Sequence, residues 1–67
     1  MNERPHLTLA QFLKIHDLVG SGGQAKHRVR VGDITVDGVA ENRPGRKLYG
    51  GERVVVDGEE RIVEVRF

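Results

Sequence analysis

Cysteine is absent from the sequence, which excludes disulfides, thiolate catalysis and a thiolate zinc site. Aromatic residues are limited to Phe12, Tyr49 and Phe67, so the core of this 67-residue chain has to be small and aliphatic. No segment approaches the roughly 20 apolar residues that cross a bilayer, and the polar start Met1–Pro5 lacks the apolar middle of a signal peptide. We therefore expect one small cytoplasmic domain with no membrane partner.

The sequence has little net charge, +1, because eleven Lys/Arg are nearly balanced by ten Asp/Glu. The distribution of charge is uneven. Residues 14–49 contain seven Lys/Arg against four Asp/Glu, a balance of +3, whereas residues 50–67 contain three against five, a balance of −2. Residues 24–30 and residues 42–49 contain no acidic residue. Such polarity can steer a polyanion to one face, although a solvated surface explains either stretch taken alone equally well.

Two helix starts follow each other near the beginning of the chain. Thr8-Leu9-Ala10-Gln11 matches a capping box, and an apolar stripe then recurs at helical spacing at Leu9, Phe12, Leu13 and His16. We expect this helix to be closed by Gly20 and His16 to be a partly buried structural or boundary residue. Ser21-Gly22-Gly23-Gln24 repeats the start pattern and predicts a second helix to about Val31, ended by Gly32.

Beyond Gly32 the apolar residues alternate as in strands. Ile34-Thr35-Val36 runs into Asp37-Gly38, a strong hairpin signal, and Val39 resumes the pattern. Val54–Val56, Asp57-Gly58 and Ile62–Val65 predict a second hairpin.

The order of these elements predicts an α+β fold, with two short N-terminal helices packed on a small antiparallel sheet. Residues 41–51 are expected to form a loop that Leu48 anchors to the core. We expect residues 1–7 to be a flexible leader and residues 8–67 to form a single domain.

Catalytic chemistry is not indicated. Two of the hydroxyl candidates, Thr8 and Ser21, are better explained as helix caps. The three histidines have no spacing typical of a metal site: His6, His16 and His27. The carboxylates lie in turns, where Asp37 and Asp57 have conformational reasons to occur. We expect no enzyme activity, no cofactor, no metal and no small-molecule substrate.

The glycine-rich start of the second helix is a candidate phosphate site. It is not a nucleotide-binding P-loop, because Gln24 follows Gly23 where that motif requires Gly-Lys. Free amides at a helix start nevertheless attract phosphate, and Lys26, Arg28 and Arg30 follow on the same helix. An ordinary helical corner with a solvated second helix is the alternative.

The second basic stretch combines cations with an aromatic residue. Arg43, Arg46 and Lys47 precede Tyr49, whose ring can stack on an unpaired base or pack in the core. Together with the glycine turn, this stretch favours an RNA-binding face.

Segments in both regions resemble those of a known family. Ser21–Lys26, Val29, Gly32 and Ile34–Gly38 resemble the signature of the ribosomal-protein S-four-type RNA-binding domain, also called the αL motif. Asn42–Tyr49 with Gly51-Glu52 resembles the stand-alone bacterial YaaA/YbcJ-like group more narrowly. The resemblance covers Leu9 to Val65.

The resemblance implies a non-catalytic bacterial protein that binds structured RNA, either ribosomal RNA or ribosomal particles, in ribosome assembly or a ribosome-associated role. We expect it to be a monomer. The RNA face that the resemblance and the basic stretches predict comprises Lys14, Ser21, Gly22, Gly23, Gln24, Lys26, His27, Arg28, Arg30, Arg43, Arg46, Lys47 and Tyr49. Many members carry an arginine after the capping serine, so Gly22-Gly23 leaves that contact to backbone amides. Asp37-Gly38 replaces the usual Asn-Gly and adds a negative charge near this face.

Two other classes of function remain open at this point. A protein–protein adaptor would use the hairpin edge or the acidic strands after residue 50. A small DNA-binding regulator would use the same fold on duplex DNA. Competition between duplex DNA and structured RNA distinguishes the last of these from an RNA-binding protein.

Overall fold

The fold is described by a computed structural model, which covers residues 4–16 and 18–65. In chain order its elements are β1 (Leu7–Thr8), α1 (Leu9–Ile15), α2 (Gly22–Val31), β2 (Ile34–Val36), β3 (Val39–Ala40), β4 (Lys47–Leu48), β5 (Arg53–Val56) and β6 (Glu59–Ile62). Four strands form an antiparallel sheet in the order β3-β2-β5-β6, and β1 pairs with β4 separately. The predicted α+β class is confirmed. The predicted domain bounds stay a prediction, and their residues 1–3, 17, 66 and 67 lie outside the described residues.

Helix α1 starts as predicted and ends earlier. The Thr8 hydroxyl accepts a hydrogen bond from the Gln11 amide at 3.2 Å, and the Gln11 side chain accepts one from the Thr8 amide at 2.8 Å. The prediction that Gly20 closes the helix is wrong, because the C-cap is His16. His16 is exposed, and its ring centroid lies 4.3 Å from that of Phe12. The expected partial burial of His16 is therefore wrong, and His16 is a boundary residue at the end of α1.

Helix α2 has the predicted caps with one difference. The Ser21 hydroxyl accepts a hydrogen bond from the Gln24 amide at 3.2 Å, but the Gln24 side chain accepts from the Gly20 amide at 2.7 Å instead of the Ser21 amide. A Cβ at Gly20 would lie 2.8 Å from the Gln24 side-chain oxygen. Gly20 thus belongs to the start of α2. Gly32 is the C-cap, with a φ of 110° that favours glycine.

Both hairpins turn at an Asp-Gly pair with positive φ angles, which are typical of a type I′ turn. The values are 52° and 80° at Asp37-Gly38 and 53° and 80° at Asp57-Gly58. The first hairpin agrees with the prediction, but the second arm of the other hairpin was placed wrongly at Ile62–Val65. A two-residue turn makes pairing resume at the next residue, so Glu59 pairs with Val56 and the strand ends at Ile62. The prediction followed the apolar run instead of the register of the turn.

The predicted loop 41–51 contains a short strand. Leu7 pairs with Leu48 and Thr8 with Lys47, and Leu48 is fully buried, as expected of an anchor. Two residues are too few to show alternation, so this strand has no recognisable sequence pattern.

The helices cover one face of the four-stranded sheet. The core consists of Leu9, Phe12, Leu13, Ala25, Val29, Ile34, Val36, Leu48, Val54, Val56 and Val63. In β2 and β5 alternate residues are buried, and Thr35 and Val55 lie between them on the opposite face. Among the described residues, no helix is long and apolar enough to span a membrane.

We expect Gly58→Ala to lower the free energy of unfolding by about 1–2 kcal/mol, because alanine is strained at a φ of +80°. Gly45→Ala is the matched control. An added Cβ meets nothing within 4 Å at either glycine, and only Gly58 has a left-handed φ. Urea denaturation followed by circular dichroism measures both, and equal stability of the two variants would contradict the expectation.

Candidate nucleic-acid interface

The start of α2 presents an open backbone surface. The Ser21 hydroxyl accepts a hydrogen bond from the Gln24 amide, and the Ser21 carbonyl oxygen accepts one from the Ala25 amide at 2.9 Å. The amides of Gly22 and Gly23 are first-turn donors that the helix itself does not pair. Both glycines are exposed, and a Cβ on either would meet nothing within 4 Å. The turn predicted to hold a phosphate is therefore accessible.

Three predicted cations of α1 and α2 are exposed. Lys26 and Arg30 are exposed on α2, and Lys14 is exposed in the last turn of α1. Within residues 4–16 and 18–65, no carboxylate forms an ion pair with any of the three. His27 is also exposed on α2.

Arg28, on the same helix, is engaged within the protein. One guanidinium nitrogen donates to the Gly32 carbonyl oxygen at 2.6 Å, and another pairs with the Asp57 carboxylate. Only 25% of its side chain is exposed. Arg28 thus satisfies a carbonyl at the end of α2 and ties that end to the β5–β6 turn.

Two predicted cations of the loop converge on a buried carboxylate. Arg43 Nε donates to Glu41 Oε2 at 2.9 Å and Arg43 Nη2 to Oε1 at 3.2 Å. Arg46 Nη1 donates to Oε1 at 2.8 Å. Glu41 is 7% exposed and is the only charged residue that is buried among the described residues. By contrast, 72% of the Arg43 side chain is exposed.

These contacts determine the ionisation of Glu41. The hydrogen bond from Arg43 lowers the pKa of Glu41 most, burial opposes it by raising the pKa, and Arg46 lowers it again, to a net value of about 2. Reciprocally, the Glu41 carboxylate raises the pKa of Arg43. Glu41 is therefore ionised at neutral pH although it is buried.

The loop is also attached to α1. The Leu9 amide donates to the Arg46 carbonyl oxygen at 2.8 Å, and the Ala10 amide donates to the Pro44 carbonyl oxygen at 3.0 Å. The Leu9 and Ala10 amides in the first turn of α1 are thereby paired with the loop, whereas the exposed Gly22 and Gly23 in the first turn of α2 have no such attachment within the described chain.

The structure brings the predicted loop residues together around a groove of about 440 Å³. Its lining consists of Arg43, Gly45, Arg46, Lys47 and Tyr49. The groove is thus bordered by three cations and an aromatic ring.

Tyr49 lies at the edge of this groove and outside the core cluster. The Arg4 guanidinium lies 4.6 Å from the Tyr49 ring centroid, and the His6 ring lies 5.9 Å away, centroid to centroid. Tyr49 is half-buried, and its amide donates to Glu52 Oε2 at 2.7 Å. Burial raises the pKa of Glu52, but hydrogen bonds from the Tyr49 and Gly50 amides outweigh it and lower the pKa overall.

The sequence did not indicate that Asp57 and Glu41 pair with cations of this surface, or that Arg4 lies against Tyr49. Residues 24–30 and 42–49 are free of acid in sequence, but Asp57 reaches Arg28 and Glu41 reaches Arg43 and Arg46. The signal available in the sequence was Glu41, which lies one residue before the acid-free stretch 42–49 and so within reach of its arginines. Among the described residues, no group of three or more His, Cys, Asp or Glu is placed to hold a metal ion.

Comparison with known proteins identifies relatives over most of the chain. A sequence model of the S4 domain matches residues 1–64. "Probable ribosome maturation protein RlbA" of Bacillus subtilis (strain 168) is 44% identical over 52 residues, which cover 78% of this chain and 73% of the relative. "Putative RNA-binding protein YbcJ" of Escherichia coli (strain K12) is 34% identical over 58 residues, 87% of this chain and 83% of the relative. No solved structure matches significantly.

We expect Glu41→Gln to lower the free energy of unfolding at neutral pH by about 1–3 kcal/mol, the low end reflecting solvent screening at the exposed Arg43. The folded-state pKa of Glu41 is about 2 instead of 4.5. Its ionisation therefore stabilises the fold above about pH 5, and this contribution is lost as the pH falls towards about 2.

Urea denaturation of the wild type and the variant at several values between about pH 7 and about pH 2 tests this expectation. The difference between the two proteins should shrink on acidification. Glu59→Gln is the control, because 70% of the Glu59 side chain is exposed and it lies 3.6 Å from Arg61. A difference for Glu41→Gln that stays constant with pH would contradict the assignment.

Proposed function

This chain belongs to the S4 domain family, and from that premise we propose that it is a small non-catalytic protein that binds structured RNA. The proposed target is ribosomal RNA, free or in ribosomal particles, and the proposed setting is ribosome maturation. Relatives named as a ribosome maturation protein and as an RNA-binding protein support both parts of the proposal.

The geometric support is a set of exposed cations on α1 and α2, together with the open start of α2. Lys14, Lys26 and Arg30 lack a carboxylate partner among the described residues, and the Gly22-Gly23 turn is accessible to a phosphate. Most contacts of this kind position a nucleic acid backbone and read no sequence. We therefore propose recognition of RNA by shape and phosphate, with the thirteen predicted residues as the candidate face.

Arg28 has a different role within this proposal. Because its guanidinium is committed to Gly32 and Asp57, we propose that Arg28 is the one of the thirteen residues that supports α2 and does not itself contact RNA. The relatives' names describe binding or maturation and no reaction, which supports a protein without catalytic activity. We also propose that the chain acts as a monomer in the cytoplasm, where ribosomal RNA is its partner.

We expect the chain to bind structured ribosomal RNA fragments with an affinity that falls steeply between about 50 mM and about 200 mM salt, because each neutralised phosphate releases counterions. Fluorescence titration at several salt concentrations measures the slope, and duplex DNA serves as competitor. Salt-independent binding, or no binding at low salt, would contradict the proposal. Stronger binding to duplex DNA would favour a DNA-binding regulator.

A single-charge comparison tests the α2 surface. Lys26→Gln should weaken RNA binding and lower the salt slope by about 1, since one phosphate contact is lost. Arg53→Gln is the matched control, because it also removes one positive charge but lies on the opposite face of the sheet and pairs with Glu60 at 2.6 Å. Equal losses in the two variants would indicate that net charge alone, and no particular surface, binds the RNA.

A further inference from the structure

Glu41 occupies an unusual position for an acid in a surface that attracts anions. Its carboxylate is buried and accepts hydrogen bonds from the side chains of Arg43 and Arg46 and, at 3.2 Å, from the Arg43 amide. Burying a carboxylate is costly unless it is paired. Here the pairing partners are two side chains that line the groove with Lys47 and Tyr49.

The hydrogen bonds to Glu41 leave donors of both arginines uncommitted. A guanidinium group carries five N–H donors in a planar fork. Glu41 engages Nε and Nη2 of Arg43 and Nη1 of Arg46. No other described residue accepts from these two guanidinium groups, so their remaining N–H groups are available to an anion in the groove.

Fixing the forks in advance favours binding of an anion. Arginine loses side-chain entropy when it is held against a phosphate, and less is lost on binding if the side chain is already ordered. The cluster still has a positive balance, because the two guanidinium groups of Arg43 and Arg46 share one carboxylate. Guanidinium forks match the geometry of a phosphate group.

We propose that Glu41 is a positioning residue for RNA binding, whose carboxylate holds Arg43 and Arg46 in the geometry that receives one backbone phosphate in the groove. This inference rests on the proposed function, that the chain binds RNA. It assigns to the only buried acid among the described residues a role in binding an anion.

Positioning and simple Coulomb attraction predict effects of opposite sign. If only net charge mattered, removing the Glu41 charge would strengthen the binding of a polyanion. If Glu41 positions the arginines, the same removal weakens binding although the protein becomes more positive. The sign of the change in affinity therefore distinguishes the two.

The test is a fluorescence titration of a structured ribosomal RNA fragment with wild type, Glu41→Gln and the control Glu59→Gln, over a salt series. We expect Glu41→Gln to weaken binding about tenfold, on the order of one lost charge-assisted contact, and to lower the salt slope by about 1. Glu59→Gln should bind as tightly as wild type or more tightly. Thermal melts confirm that each variant is folded at the titration temperature.

Arg43→Lys keeps the charge, loses the fork and lies at an exposed side chain, so it tests the inference if Glu41→Gln does not fold. We expect Arg43→Lys to weaken binding. The double variant Glu41→Gln/Arg43→Lys should lose no more binding free energy than the sum of the losses of the two single variants. Unchanged binding of Arg43→Lys, or equal or tighter binding of folded Glu41→Gln, overturns the positioning role while RNA binding stands. A wild type that binds no RNA overturns the proposed function itself.

Discussion

The first-turn amides of α1 have no acceptor within the helix and must be paired elsewhere in the chain. The position of the basic loop depends on these hydrogen bonds. The carbonyl oxygens of Pro44 and Arg46 accept from Ala10 and Leu9, which holds the basic loop against the helix start. The same attachment lets β4 pair with β1 and buries Leu48 in the core. Residues 41–51, which the sequence predicts to be a plain loop, are thereby a fixed part of the proposed binding surface.

Six of the predicted cations fall into two groups that differ in their partners. Lys14, Lys26 and Arg30 face solvent without a carboxylate partner in the part of the chain that the structure describes. The others are held by acids: Arg28 by Asp57, and Arg43 and Arg46 by Glu41. A net charge of +1 is compatible with a polyanionic partner because the acids organise some cations and leave others open.

Local patterns predicted well wherever a few neighbouring residues decide the structure. The Thr8 and Ser21 caps and both Asp-Gly turns occur where the residues indicate them. Predictions failed where one local signal competed with another. Gly20 was read as a helix end but serves the start of α2, and the apolar run at Ile62 was preferred to the register that the turn imposes. The predicted site residues are mostly exposed, but their pairing was not visible in the chain.

The sequence by itself determined the α+β class, both helix starts and both hairpin turns, because capping and turn geometry act over two to four positions. Only the tertiary structure decided which cations pair with a carboxylate and which remain exposed without one among the described residues. Arg28 and Asp57 are 29 positions apart and meet because α2 packs on the sheet. Glu41 lies beside Arg43 in sequence, but its burial, and so its strength as an acceptor, depends on how the loop folds against the core.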